Sequence, residues 1–293
     1  MARFALSAFA DEAGDSLEEQ IAALKENEID YIEPRNISKR GILDFSEEEL
    51  ADLKKEFDRN NIKVNSLGSP IGKYKITDDF EPHLELTKKA LRACEILGTK
   101  NMRMFSFFVK GEELSKHRDE VIRRLTVMAE EAKAYGINMC HENESRIYGQ
   151  MPAEVEDILS SVPALYGIFD PANYRMNNAD VMEGIKATLI NFKYMHIKDA
   201  IYDEQMIVPA GDGEGKIGEI IDIINDHTDN LVYLTLEPHL HKFSAYADID
   251  DHELKGRYKF ANNREAFDFA VTTLKNLLIK HGYRKDENNE WIK

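Results

Sequence analysis

Cysteine is scarce in this chain. The two present, Cys94 and Cys140, fall in a helix-like and a strand-like segment with no C-x-x-C pairing. That pattern argues against a disulfide framework or a thiolate zinc site and leaves both as expected buried thiols. No apolar run approaches the roughly 20 residues that a membrane span requires. Met1-Ala2-Arg3-Phe4 passes straight into strand-like sequence, without the apolar segment and small-residue cleavage site of an export signal, so a cytoplasmic protein is expected. Positive charge is in deficit. Against 54 Asp and Glu stand 38 Lys and Arg, a formal charge of −16 that repels phosphate backbones and works against binding to nucleic acid or an anionic membrane. Linkers rich in Pro or Ser are missing, as are repeats longer than a strand–helix unit.

What is present describes a folded chain. Hydrophobic residues make up 43% and charged residues 31%, the balance of a globular protein, and 293 residues suffice for one barrel-sized domain or two smaller ones. Strand-like and helix-like segments alternate. Strands are expected at Phe4 to Ala10, Asp30 to Pro34, Lys63 to Gly68, Asn101 to Phe108, Ile137 to Glu144, then in runs ending at Asp170, His196 and Glu237. Ser16 with Glu19, and Ser46 with Glu49, carry the spacing of reciprocal helix caps, and Leu50, Leu53 and Phe57 recur at helical intervals. Further helices are expected at His83 to Leu97, Glu120 to Tyr135, Ala153 to Ser160, Val181 to Leu189, Ile217 to Asp226 and Asn263 to His281, with Gly98 and Gly136 as terminators. Eight strands alternating with eight helices point to an α/β fold, a (β/α)8 TIM barrel over residues 1–283, with 284–293 as a loosely held polar tail. A doubly wound open sheet is the alternative.

Chemistry collects where strands end. Four apolar runs finish on Glu142, Asp170, His196 and Glu237, and in a parallel barrel these side chains meet at one rim. Each also has a duller reading: a solvated rim charge for Glu142, a core histidine for His196, turn formers before Pro171 and Pro238 for Asp170 and Glu237. Taken together the dull readings weaken, because clustering three carboxylates without a cation costs several kcal/mol per charge, roughly. Three carboxylates and one imidazole suit one divalent cation, Mn²⁺ first, with Mg²⁺, Co²⁺ and Zn²⁺ as alternatives.

The segments His141-Glu142-Asn143, Phe169-Asp170-Pro171-Ala172-Asn173, Met195-His196-Ile197-Lys198-Asp199 and Leu236-Glu237-Pro238 resemble the metal-site segments of the xylose isomerase-like superfamily. Within it they look most like the sugar phosphate isomerase/epimerase branch, related to ketose 3-epimerases. The resemblance implies that Glu142, Asp170, His196 and Glu237 bind the metal and that Glu142 and Glu237 double as the acid/base pair. Asn173 stands where relatives often have histidine, and Glu144 departs likewise, which bears on the substrate more than on the metal. The implied reaction is isomerisation or epimerisation of a ketose or keto-sugar by proton transfer through a metal-stabilised enediolate.

Lys198 is placed to reach a substrate hydroxyl or oxyanion, or else to pair with Asp199 or Asp203 at the surface. Asn173 is placed to bond a sugar hydroxyl or to cap the next element. Glu33 and Arg103 read as structural polar contacts. Gly211 to Lys216 lacks the Walker spacing and reads as a mobile loop over the barrel mouth. The rivals are a lyase or dehydratase on a keto-sugar, keto-glycoside or cyclitol, a metal phosphodiesterase of the endonuclease type, and a non-enzymatic sugar-binding barrel. The expected partner is a small sugar, and a homo-oligomer stays open.

Overall fold

The computed structural model describes residues 1–109, 114–242 and 258–293. Its centre is a ring of parallel strands: β1 (Arg3–Ala8), β2 (Tyr31–Ile32), β3 (Lys63–Val64), β4 (Asn101–Met104), β5 (Asn138–Glu142), β6 (Tyr166–Phe169), β7 (Phe192–Ile197) and β8 (Leu231–Leu236). Neighbours in sequence are neighbours in the ring. β1 pairs with both β2 and β8, and Ser7 lies opposite Thr235. β2 pairs with β3, and the seam between β3 and β4 closes through Leu67, which bridges to Met102 and bonds Asn101 and Arg103. From β4 to β8 the ladder is continuous, and the fold is an α/β TIM barrel.

Two of the expected strands shrink to two residues each. Pro34 cannot donate to a ladder, and beyond β2 and β3 single bonds such as Glu33 N to Ala8 O and Asn65 N to Ile32 O replace regular pairing.

The helices follow their local signals. α1 (Leu17–Glu26) and α2 (Glu47–Arg59) both begin on the full reciprocal cap expected at Ser16/Glu19 and Ser46/Glu49. α3 (Phe80–Leu97) and α4 (Arg118–Tyr135) end at Gly98 and Gly136, whose φ of +74° and +64° is readily adopted by glycine. Among the described residues α5 (Pro152–Ser161), α6 (Pro171–Met176), α7 (Val181–Thr188), α8 (Ile217–His227) and α9 (Asn263–Lys280) follow, and their apolar faces pack on the outside of the ring. Both cysteines are free and buried, as expected.

Residues 284–293 depart from expectation. They form a hairpin, Arg284–Lys285 against Trp291–Ile292, which adds antiparallel to β1 through Phe4 and Trp291. Trp291 is buried. Two adjacent apolar side chains dock this polar stretch, the buried Trp291 and the half-buried Ile292, and the large ring of Trp291 supplies most of the apolar surface.

Candidate metal centre

Alternation along the strands decides which side chains enter the barrel. On β5, Cys140 and Glu142 face inward, whereas His141 turns out and meets Ser106 Oγ at 2.8 Å. On β7, Tyr194 and His196 share the inner face with Lys198 just beyond it. Asp170 follows β6, and Glu237 follows β8.

The structure brings Glu142, Asp170, His196 and Glu237 together, all buried, with one donor atom from each lying within 4.8 Å of the others. His196 Nδ1 stands 3.1 Å from Glu142 Oε1 and 3.6 Å from Glu237 Oε2. Its Nε2 lies 3.4 Å from Glu33 Oε2, and Tyr194 donates to the other Glu33 oxygen at 2.8 Å. Glu33 thus stands behind the imidazole as a charge partner, outside hydrogen-bond geometry at this length.

Asp170 serves two elements at once. Its Oδ1 accepts from Asn173 N at 2.9 Å, capping α6, while Oδ2 faces Lys198 Nζ at 2.8 Å. The Asn143 side chain clamps the Asp170 backbone with two bonds of 2.9 Å, one donated and one accepted. Asn173 is committed inside the site, donating to Asn143 O at 2.8 Å and to Glu142 Oε1 at 3.4 Å. Lys198 is buried and pairs with Asp170 and Glu237, at 2.8 and 3.2 Å. Asp199, its expected surface partner, is instead enclosed by the glycine-rich loop: Gly211, Gly213, Gly215 and Ala200 all donate backbone N–H groups to its carboxylate at 2.8–3.1 Å. The loop expected to be mobile is therefore tied down. A Cβ on Gly213 would stand 2.3 Å from Asp199 Oδ1, so the close approach requires glycine.

Electrostatics within the cluster are steep. Burial raises the Glu142 carboxyl, but the His196 and Arg103 charges outweigh it and hold the group at about 2. Burial likewise raises Glu237, yet Lys198, His239 and His196 bring it well below the usual carboxylate range. Asp170 is pushed up by burial and by the two neighbouring glutamates, against the opposing pull of Lys198. Burial lowers His196, but Glu142 and Glu33 overcome it and raise the imidazole to about 10. A cation taking that ring nitrogen must displace its proton.

Several residues at this site carried no sequence signal that singled them out. Arg35 binds Asp11 through two bonds of 3.0 Å and Glu237 Oε1 at 2.8 Å, and its guanidinium lies over the Phe9 ring. Arg103, expected to be a structural contact, reaches Glu142 at 3.3 Å and Glu237 at 3.9 Å. Glu12 and His239 form a second group of possible ligands with Glu237. Glu12 is raised to about 8, chiefly by burial. Asp11, Glu12, Arg35 and His239 all lie just past strand ends, the one feature that would have found them.

The donor set fits a divalent ion. It is oxygen-rich and thiolate-free, its members converge, and the Asp170 oxygen not used as a cap has no hydrogen-bond partner. A barrel with a buried carboxylate–histidine cluster at the C-terminal ends of its strands is the class that fold and site define together. The chain belongs to the xylose isomerase-like TIM barrel family, whose sequence model matches residues 21–254. Among solved structures it is similar to the IOLI protein with a bound zinc atom, at TM-score 0.73 and 15% identity over 95% of this chain and 99% of that one. An L-ribulose 3-epimerase matches at TM-score 0.68 and 17% identity, covering 96% and 97% of the two chains. The probable 3-DHS dehydratase AsbF from Bacillus anthracis matches at 0.69 and 14%, covering 94% and 99%. No curated protein sequence matches. Among the described residues no helix is long and apolar enough to cross a membrane.

Proposed function

We propose that the protein is a divalent-metal-dependent sugar isomerase or epimerase that acts by proton transfer at a carbon next to a carbonyl. The observation that carries this reading is the convergence of Glu142, Asp170, His196 and Glu237 on one point inside the barrel mouth. In this proposal these four side chains hold the ion. Mn²⁺ is the first choice, and the bound ion supplies Lewis-acid stabilisation of the negative charge on the substrate oxygens.

The acid/base work falls to the two glutamates. One of them, as carboxylate, removes the proton from the carbon and is left as the acid; the other, which the surrounding cations hold ionised in the free site, first takes up a proton from solvent as substrate binds, then returns it to the opposite face and is left as carboxylate. The carbon is inverted through an enediolate. Arg103 reaches both glutamates, and Arg35 holds Glu237, so their separation is fixed before substrate enters. Burial of the cluster excludes water and strengthens every charge interaction within it. Lys198 contacts a substrate oxygen, a small neutral sugar being the ligand that so acidic a protein admits most readily.

Metal analysis of the purified protein, followed by a screen of ketoses and keto-glycosides in D₂O, tests the reading. Uptake of deuterium at carbon, with otherwise unchanged mass, supports isomerisation or epimerisation; loss of water assigns the site to a lyase instead. Within that assay Glu237→Gln is expected to lower turnover by about 10²- to 10⁴-fold with the circular dichroism of the fold intact. Unchanged turnover removes Glu237 from the acid/base pair.

A further inference from the structure

Each carboxylate of the cluster has two oxygens, and they are not equally occupied. Asp170 Oδ1 is spent on the amide of Asn173, and Glu237 Oε1 on Arg35. The remaining oxygen of each, Asp170 Oδ2 and Glu237 Oε2, meets one and the same ammonium group, that of Lys198, which donates a hydrogen bond to Glu237 Oε2 at 3.2 Å; His196 Nδ1 stands farther from that oxygen, at 3.6 Å. Thus a single monovalent cation occupies the free side of two of the three carboxylates that an ion in this site has to share. The contact to Asp170 falls outside hydrogen-bond geometry despite its 2.8 Å length, so it is an attraction between charges that another cation can replace without breaking a directed bond.

The guanidinium groups of the site are not free to leave. Arg35 is locked by two bonds to Asp11, and Arg103 lies between Glu142 and Glu237 and over the rings of Phe9 and Phe105. Lys198 differs from both: its four-carbon stem is flexible, and its head group is a point charge rather than a planar fork. Its backbone is nevertheless fixed, because the next residue, Asp199, is gripped by four amides. The side chain can swing while the chain stays in place.

We propose that Lys198 is the resident counter-ion of this site, neutralising Asp170 and Glu237 in the metal-free protein and yielding both oxygens when a divalent cation enters. The inference rests on the metal-centre reading above and deepens it. An ammonium cannot remain between the same two oxygens as a divalent ion, since the two repel at that range. Once displaced, its charge lies beside the ion, where a substrate oxygen that gains negative charge would meet it. One lysine thereby serves the empty site as a structural cation and the loaded site as a substrate contact.

Calorimetric titration with Mn²⁺ alone, together with thermal melts of metal-free and Mn²⁺-loaded protein, tests this on the full chain. Lys198→Met keeps the volume and removes the charge. It is expected to melt several degrees below the wild type when metal-free, to match it when loaded, and to bind Mn²⁺ at least about tenfold more tightly. Tighter binding without loss of metal-free stability makes Lys198 a bystander charge and overturns the proposal. So does a variant that binds like the wild type, an outcome that leaves the metal centre standing; absence of Mn²⁺ binding in both proteins removes the metal centre as well. The wild type supplies a measurement that does not depend on the variant folding. Labelling of Lys198 by a small acylating reagent, read by peptide mass spectrometry, is expected to rise on adding Mn²⁺. Unchanged or reduced labelling overturns the displacement.

Discussion

Asn143 shows how much of the carboxylate–histidine cluster is held in place by a residue outside it. Its side-chain amide both donates to and accepts from the Asp170 backbone, tying the end of β5 to the end of β6. In Asn143→Ala a buried N–H and a buried C=O lose their partners, at a cost of about 1–3 kcal/mol each. Urea unfolding is expected to show a loss of about 2–6 kcal/mol, and Mn²⁺ titration a loss of about 10- to 100-fold in affinity. Full affinity in the variant would mean that Asp170 is aimed by its cap on α6 alone. The neighbouring Glu142 announced itself as a carboxylate ending an apolar run; Asn143 stood in the same expected strand and in the segment His141-Glu142-Asn143, with no role of its own read for it. Its importance lies in a partner 27 residues away.

At the level of elements, the unit formed by Asp199 and the loop Gly211–Gly215 is the least conventional part of the barrel. Four N–H groups converge on a buried carboxylate, the geometry by which backbone nests bind free anions, but here the anion belongs to the chain. This explains why a glycine-rich segment without Walker spacing is present at all. Asp199→Ala leaves four donors without an acceptor and is expected to destabilise the protein by several kcal/mol, taking roughly 1–3 kcal/mol per orphaned group as an upper scale. Asp199→Asn keeps one acceptor oxygen and is expected to lose about half as much by the same reckoning. Parallel urea melts check both; equal losses would show that charge, rather than the number of acceptors, holds the loop.

Two features concern the whole molecule. Trp291 is the only tryptophan of the chain, and it is buried where the C-terminal hairpin meets β1. Its fluorescence therefore reports docking of the terminus, and Trp291→Ala is expected to cost about 3–5 kcal/mol in a chemical melt. A cost below about 1 kcal/mol, the scale of a surface residue, would mean the hairpin contributes little to closing the barrel. The second feature is His83, buried on α3, where its Nε2 accepts from Gly72 N at 3.1 Å. Burial, aided by the Arg124 charge, lowers its pKa from 6.5 to about 4. Since the folded state then prefers the neutral ring, its contribution is complete above pH 6.5 and is lost as the pH falls towards 4. The stability difference between wild type and His83→Gln, measured by urea melts, is expected to shift against the wild type across that interval. A difference that stays constant from pH 7 to 4 would show that His83 titrates as it does in the unfolded chain.

The order of strands and helices, the two reciprocal caps, the glycine terminators and the gathering of carboxylate and imidazole at strand ends were determined by the sequence itself. Each depends on residues within about four positions of one another, the range over which helical and strand periodicity act. Ring closure through Leu67, the docking of the terminal hairpin, the hold of Arg35 on Glu237 across 202 positions and the burial of Lys198 against Asp170 were decided only by tertiary structure. Lys198 makes the reason plain. Asp199, its sequence neighbour, points to the other side of the chain, and which carboxylate a lysine meets depends on where distant strands end.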